Sequence, residues 1–409
     1  MNLKSTALVA IALLMAACGG NDEPAAAVEP QVDAGEALHA LFDEHFERGL
    51  EMSPLSATFI GDNRFNDRLS HFASQEFRDD AEAMDREFLE RLLEIDRAQL
   101  NYQDQLSYDI FKIDREESLE GNQFPGHLQP INQFRNMMNF FVQLGSGASA
   151  HPFKTVKDYD DWLSRVDDAI INTDFMIENM QEGMRQGIVQ PRILMEKVIP
   201  QLDSQIVDDI TQSAFYKPIV NMPDEFSEDD RARLTAAFED KIANAIIPAY
   251  ARLNNFIGDE YLSSARETVG LYALPNGNDW YAYNVRTITT TDMSPEEIHQ
   301  IGLDEVARIH GEMHSVMEEV GFDGDLKEFF EFVNTDPQFF FDEPEQLIQG
   351  YRDMADHINE LAKDLFDVFP NTGFEVLRVE PFREQWASGV SDAAGTPDGS
   401  RPGIFYANA

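Results

Sequence analysis

A long amphipathic stretch decides the fold class of this chain: TVKDYDDWLSRVDDAIINTDFMIENM, residues 155–180. Its buried-type positions step by three and four residues, which is the spacing of one face of an α-helix. These positions are Tyr159, Trp162, Val166, Ile170, Thr173, Met176 and Met180. Because Gly183 and Gly187 follow and Pro191 comes soon after, the pattern predicts a long helix over 155–182.

Further helix signals lie towards the C-terminal end. The run SPEE at 294–297 combines a capping box with a proline at the first helical position, so it predicts a helix over 294–320. Asp342 is typical of an N-cap, and we expect the helix that it begins to reach about Phe366.

Strand signals are few. Residues 375–379 and 404–406 predict two short strands, the second preceded by a turn that contains Pro402 and Gly403. The sequence therefore predicts a mostly α fold, a multi-helix scaffold with a few β-strands near the C-terminal end.

The first residues resemble a bacterial secretion signal. Lys4 precedes an apolar stretch at 7–15, which is shorter than the roughly 20 apolar residues of a membrane-spanning helix. The run MAAC ends at Cys18 and resembles a lipobox, in which the cysteine is lipidated. We therefore expect a signal peptide over 1–17 and a lipid anchor on Cys18. The alternative is an ordinary signal peptide with an incidental cysteine.

The residues after the cysteine predict a tether and a location. Gly19 follows Cys18 in place of the aspartate that retains lipoproteins in the inner membrane, so we expect an outer-membrane anchor facing the periplasm. Residues 18–35 are rich in Gly, Pro, Ala and acids, which indicates a disordered segment. The folded domain is expected over 36–409. Since Cys18 is the only cysteine, no disulfide can stabilise it.

The charge balance is strongly acidic. The 409 residues include 75 acidic and 31 basic side chains, a formal net charge of -44. Such a surface repels phosphate backbones, so we expect no nucleic-acid partner. Calcium is an alternative partner for an acidic chain, but GDNRFNDRLS at 61–70 lacks the alternating ligands and central glycine of an EF-hand loop.

Catalytic motifs with a known mechanism are absent from the sequence. It contains no G-x-S-x-G elbow, no P-loop and no G-x-G-x-x-G. The run HGEMH places His310 and His314 four residues apart on a predicted helix, which is the spacing of a zinc-protease pair. Glu312 lies between them, however, and so points to another face than the one a general base would need. We therefore predict ordinary surface histidines without a metal.

Several long blocks resemble one bacterial family, the domain of unknown function 885, whose members are zincin-like and often lipoproteins. The resemblance covers the chain from about residue 36 onward. The blocks are SPLSATFIGD, HLQPINQF, TVKDYDDWLSRVDDAI, MQEGMRQGIVQP, ALPNGNDWYAYNVRTITTTDMSPEEIHQIGLDEV and GSRPGIFYAN.

The resemblance implies a zinc site that this sequence does not contain. In the family, the RPGIFY-type strand is followed by a helix with His-Glu-x-x-Pro-Gly-His-His, which supplies zinc ligands and a general base. No residue here matches that helix. We therefore expect the N-terminal part of a zincin-like α+β fold, truncated before the metal site. The chain itself would hold no cofactor, whereas zinc is expected for the complete family protein.

The terminal strand carries the candidate substrate-binding residues. At the edge of a cleft, such a strand would pair with an extended peptide. Gly403 would then allow close approach of the peptide backbone, Arg401 would meet a carboxylate, and Tyr406 and Asn408 would donate hydrogen bonds. The segment NGNDWYAY at 276–283 is another candidate wall, although aromatic residues are more often core.

Two functional classes remain open at this point. The first is a lipid-anchored zinc peptidase or amidohydrolase of the periplasm, of which this chain holds the part without the metal. The second is a non-catalytic lipoprotein that binds peptides or protein partners.

Overall fold

The computed structural model describes residues 33–381, 384, 387–397 and 399–409. The predicted signal peptide, Cys18 and nearly all of the predicted tether lie outside these residues.

Helices dominate the described chain, and three short strands lie near its C-terminal end. The helices are α1 (Ala34–Met52), α2 (Pro54–Phe59), α3 (Gln75–Leu93), α4 (Tyr102–Gly121), α5 (Met137–Gly145), α6 (Val156–Gln186), α7 (Arg192–Asp203), α8 (Lys217–Val220), α9 (Glu228–Lys241), α10 (Ile247–Asn255), α11 (Gly277–Thr289), α12 (Pro295–Val320), α13 (Leu326–Thr335) and α14 (Pro344–Ala362). The strands are β1 (Phe374–Arg378), β2 (Val390–Ala393) and β3 (Gly403–Ala407). The predicted mostly α fold with a few C-terminal strands is therefore confirmed.

The two long predicted helices form because both ends carry strong signals. Helix α6 begins with a capping box between Thr155 and Asp158 and ends at Gly187, whose φ of 71° is left-handed. Helix α12 begins with a capping box at Ser294 and ends at Gly321, with a φ of 70°. Both helices are confirmed, and α6 continues to Gln186, beyond the predicted end at residue 182.

Helix α14 differs from its prediction at both ends. Glu343 is its N-cap, one residue after the predicted Asp342, and the helix ends at Ala362 instead of about Phe366. The side chain of Gln346 accepts the backbone N–H of both Asp342 and Glu343, so the loop is tied to the first turn one residue later than expected.

The larger hydrophobic core surrounds α6. Its predicted apolar face packs against α5, α9 and α10. The indole of Trp162 is only 1% exposed and stacks on Phe141 with 4.6 Å between ring centroids. A second, smaller core packs α1 against α3 and α4 around Phe88. These two cores stabilise the N-terminal two thirds of the chain, because burying apolar surface is the main favourable term in folding.

The three strands form one small sheet in the order β1-β3-β2. Strand β3 pairs with β1 in parallel and with β2 antiparallel, so its backbone is hydrogen-bonded on both sides. The expectation that this strand forms the edge of a cleft is therefore wrong. Phe405 of β3 packs on Tyr351 of α14, which covers one face of the sheet.

The helices that follow α11 are much less buried than those before it. Among the described residues, α12 buries only Met317, α14 only Ile348, and α13 none. Large apolar side chains on these helices are exposed, including Ile301, Val306, Val316, Phe330, Met354, Ile358 and Leu361. None of the helices in the described part of the chain is long and apolar enough to cross a membrane.

Candidate functional site

Of the four predicted substrate-binding residues, Arg401 lies at a cavity and the other three lie in or beside β3. The cavity has a volume of about 690 Å³ and is formed by loops around the ends of α2 and α6 together with the turn before β3. We call it the Arg401 cavity, and its lining includes Thr58, Gly61, His151, Lys154, Asp158, Thr396 and Arg401.

Arg401 connects the turn before β3 to the N-terminal helices. Nη2 of its guanidinium donates to the carbonyl oxygen of Phe59 and, at 3.4 Å, to that of Ala394. Its backbone N–H donates to Oγ1 of Thr396 at 3.0 Å. The side chain is thereby held at the cavity wall, and Nη1 has no acceptor among the described residues.

The other three predicted residues serve the sheet in this structure. The backbone N–H of Gly403 donates to the carbonyl of Gly373 at 2.9 Å. Nδ2 of Asn408 donates to the carbonyl oxygen of Glu384 at 2.8 Å and so ties a loop to the end of β3. Tyr406 is half-buried between its strand neighbours. The structure therefore does not bring these three residues together with Arg401 at the cavity.

A close approach of two loops forms one side of the cavity. Gly61 has a φ of 87°, a left-handed conformation that favours glycine. A Cβ atom at this position would lie 2.9 Å from Cγ2 of Thr396, so the turn before β3 can only approach α2 because residue 61 has no side chain. This contact brings residues far apart in sequence to the same cavity.

Behind the cavity wall lies a buried arginine. Arg165 projects from α6 and is 0% exposed. Its Nη2 donates to the hydroxyl of Thr58 at 2.5 Å, and its Nη1 donates to Nδ1 of His151 at 2.9 Å. Its remaining acceptors are the carbonyl oxygens of Arg68 and Phe65 and the side-chain oxygen of Asn66. All of these acceptors are neutral. Burial lowers the pKa of Arg165 to about 10, so it still carries its charge at neutral pH.

The hydrogen bonds of His151 determine its protonation state. An arginine has no acceptor, so Nδ1 of His151 must accept and the ring proton must sit on Nε2. Nε2 then donates to the carbonyl oxygen of Asp158 at 2.9 Å. Burial, reinforced by the positive charge of Arg165, lowers the pKa of His151 to about 4. The imidazole is therefore neutral at the pH of most biological surroundings.

The carboxylates near this group of cations are already engaged. Asp158 is the one acid among the described residues of the lining, and its carboxylate accepts the backbone N–H groups of Lys154 and Thr155 at 2.9 and 2.8 Å. Asp161 pairs with Lys157 at 2.6 Å. Asp168 accepts the backbone N–H of Leu69 at 2.8 Å. None of the three forms an ion pair with Arg165, although Asp161 and Asp168, together with Asp67, lie close enough to raise its pKa. Among the described residues, the lining itself holds two cations, Lys154 and Arg401, and one acid, Asp158.

The zinc that the family resemblance implies has no suitable ligands in the described part of the chain. No three His, Cys, Asp or Glu side chains among the described residues are placed to hold a metal ion. His310 and His314 are exposed on α12, as predicted, and Glu312 between them accepts a hydrogen bond from Arg308 at 2.6 Å. The residues present therefore do not fit a zinc site.

The aromatic segment at 276–283 packs away from the Arg401 cavity. It forms the first turns of α11, where Trp280 stacks on Phe124 with 5.9 Å between ring centroids. The hydroxyl of Tyr283 donates to the carbonyl oxygen of Glu117 at 2.8 Å. This segment therefore fastens α11 to α4, and it contributes no residue to the cavity lining among those described.

Sequence reasoning did not identify Arg165, His151, Thr58 or Lys154 as parts of a site. One signal was available for Arg165: it lies three residues after Trp162 and next to Val166, on the apolar face of the predicted helix. A charged residue in that position requires buried partners. No comparable pattern marks the loop that carries His151.

Comparisons with known proteins support the assignment of both family and fold. The profile of the family described as Bacterial protein of unknown function (DUF885) matches residues 54–409. Among solved structures, a candidate lipoprotein from Colwellia psychrerythraea is similar, with a TM-score of 0.81 and 20% sequence identity. The match covers 92% of this chain and 68% of the Colwellia chain. At that identity the likeness shows the fold alone. No curated protein matches this chain.

Proposed function

Since this chain belongs to the family of bacterial proteins of unknown function DUF885, we propose that it is the N-terminal portion of a lipid-anchored, zinc peptidase-like protein acting on peptides in the periplasm. The lipobox-like run ending at Cys18, followed by Gly19, supports an anchor in the outer membrane. The observation that carries the peptide part of the proposal is the Arg401 cavity, because it is large enough for a peptide end and lies beside the turn that leads into β3.

Two further observations support a longer functional unit. The match covers only 68% of the Colwellia chain, so the rest of that chain has no counterpart here. In addition, α12 and α14 expose many large apolar side chains, and an apolar face of that kind ordinarily packs against other polypeptide. We propose that further residues pack there and supply the zinc ligands and general base, which the residues of this chain do not provide.

The test combines DNA sequence with an activity measurement. We expect the DNA that follows codon 409 to encode His-Glu-x-x-Pro-Gly-His-His within a few dozen codons, in one of the three frames. A product that includes this segment should hydrolyse peptides when zinc is added and stop when a chelator is present. The 409-residue chain should bind peptides without zinc-dependent hydrolysis. Zinc-dependent hydrolysis by the 409-residue chain would refute the proposal that residues outside this chain supply the zinc ligands and the general base.

A second candidate function is a non-catalytic lipoprotein that binds peptides or protein partners. The exposed apolar faces of α12 and α14 favour it, because they would also suit a separate partner protein. A stop codon followed by unrelated sequence would support this candidate over the first.

A further inference from the structure

The cations around the Arg401 cavity differ from most cations of this chain. Elsewhere, basic side chains on the surface are commonly paired with carboxylates, as in Arg91 with Glu44 and Arg233 with Asp160. Lys154 and Arg401 both line the cavity, yet neither forms an ion pair with any described residue. In a chain with a net charge of -44, two cations at one cavity without an ion-pair partner among the described residues are unexpected.

The buried layer behind the cavity adds a third cation. Arg165 contacts the cavity only through Thr58 and His151, which line it, and all of its own acceptors are neutral. A buried charge without a counter-ion is costly unless something of opposite sign lies nearby. The carboxylates of Asp161, Asp67 and Asp168 act on Arg165 electrostatically and raise its pKa, but none of them forms an ion pair with it, and the net effect of its surroundings is still to lower its pKa.

Hydrogen-bond donors are also available at the wall. Nη1 of Arg401 has no acceptor among the described residues, and the guanidinium is held in place by its bond to Phe59. The Lys154 ammonium has no hydrogen-bond acceptor among the described residues either. A planar carboxylate is well matched to a fixed guanidinium, and a nearby ammonium strengthens the attraction.

From these observations we propose that the Arg401 cavity binds the C-terminal carboxylate of a peptide, through Arg401 and Lys154, with Arg165 supplying positive charge from behind. This inference rests on the proposed function in peptide handling and specifies which end of the peptide is recognised. It also gives a reason for three cations at one place that form no ion pair with any described carboxylate of an acidic chain.

The experiment compares two peptides that differ only at the C-terminus. The purified 409-residue chain is titrated calorimetrically with tetra-alanine bearing a free carboxylate and with the same peptide as its amide. We expect the free acid to bind about tenfold more tightly, and added salt to weaken only the free acid. Lys154→Ala should lower the affinity for the free acid roughly three- to tenfold and leave that for the amide unchanged.

Two further variants serve as controls, one for the loss of any surface lysine and one for the shape of the Arg401 side chain. Lys327→Ala removes an exposed lysine on α13, which has no ion pair with a described residue and lies outside the cavity, so it should change neither affinity. Arg401→Lys keeps the charge but loses the planar donor pair, and should weaken binding of the free acid. Lys154 is exposed, so its substitution does not endanger folding even where that of Arg401 does.

The outcomes separate this inference from the function on which it rests. Equal binding of the acid and the amide would overturn the carboxylate site and leave peptide binding intact. Binding of neither peptide would overturn both. Competition by inorganic phosphate as strong as that by the free-acid peptide would show a site for anions in general and would also overturn the assignment to a peptide end.

Discussion

Nη1 of Arg165 donates a hydrogen bond to Nδ1 of His151 at 2.9 Å, so the charge of the arginine and the neutrality of the histidine depend on each other. Protonation of His151 would place a second N–H group opposite the guanidinium, where no acceptor could remain between them. The pair is buried, with 0% and 2% of the two residues exposed. Water therefore cannot relieve the repulsion.

The first prediction concerns pH. The pKa of His151 is about 4 in the folded protein and 6.5 as the ordinary value, so the unfolded chain binds a proton more readily between these limits. The free energy of unfolding should consequently fall as pH drops from 6.5 towards 4, by up to roughly 3 kcal/mol from this residue. Urea unfolding at a series of pH values measures this fall in the free energy of unfolding. His151→Asn should reduce the fall between pH 6.5 and 4, whereas His310→Asn should leave it unchanged.

The second prediction concerns the buried charge itself. Arg165→Met removes the donor of five hydrogen bonds and leaves Nδ1 of His151 and the carbonyl oxygen of Arg68 without a donor among the described residues. We expect a loss of roughly 3 kcal/mol in the free energy of unfolding, measured by urea denaturation. Arg308→Met on the exposed face of α12 should cost less than about 0.5 kcal/mol. Equal effects of the two substitutions would contradict the structural role given to Arg165.

The third prediction uses two helical glycines. A methyl group at Gly183 would lie 2.6 Å from the carbonyl oxygen of Ile188 and 3.0 Å from that of Leu128, whereas one at Gly311 would meet nothing within 4 Å. Gly183→Ala should therefore destabilise the protein by about 2 kcal/mol or more. Gly311→Ala should stabilise it by about 0.5–1 kcal/mol through the lower entropy of the unfolded chain. Thermal unfolding of both variants measures whether the changes in stability have opposite signs, as expected.

The fourth prediction concerns the anchor. Cys18→Ser removes the sulfur that lipidation requires, so we expect the protein to move from the membrane fraction to the soluble periplasmic fraction. Cell fractionation followed by a high-salt wash measures this. Variant protein that stays with the membrane after the wash would show that Cys18 is not the anchor.

Much of the helical scaffold could be predicted because its signals are local. The spacing of Trp162 and Val166, and the capping residues Thr155 and Ser294, indicate their helices without any knowledge of tertiary contacts. Strand β2, in contrast, has the sequence VSDA, which lacks an apolar alternation. Strand β2 forms because its backbone pairs with β3, and this pairing makes β3 the central strand of the sheet. Which strands pair depends on residues far apart in sequence, so the strand order cannot be read from local patterns.

The residues of the candidate site also divide into those with a local sequence signal and those that come together only through tertiary contacts. Arg401 could be chosen from the sequence, because an arginine before a predicted strand at a cleft suggests recognition of a carboxylate. Thr58 and His151 could not, because they acquire their roles only when α2 and the loop before α6 meet beside Arg165. The prediction for Gly403 and Asn408 depends on an edge strand, whereas the central position of β3 gives their backbone N–H groups sheet partners.

The contrast between α6 and the three sparsely buried helices α12, α13 and α14 has a consequence for amide hydrogen exchange. Backbone amides in α6 should exchange mainly when the main core opens, because one face of this helix is buried along its whole length. Amides in α12 need only a local opening that exposes little apolar surface, since Met317 is its one buried residue among those described. Deuterium uptake measured by mass spectrometry should therefore separate the chain into a slow unit around α6 and a fast unit from α12 to α14, with different free energies of opening.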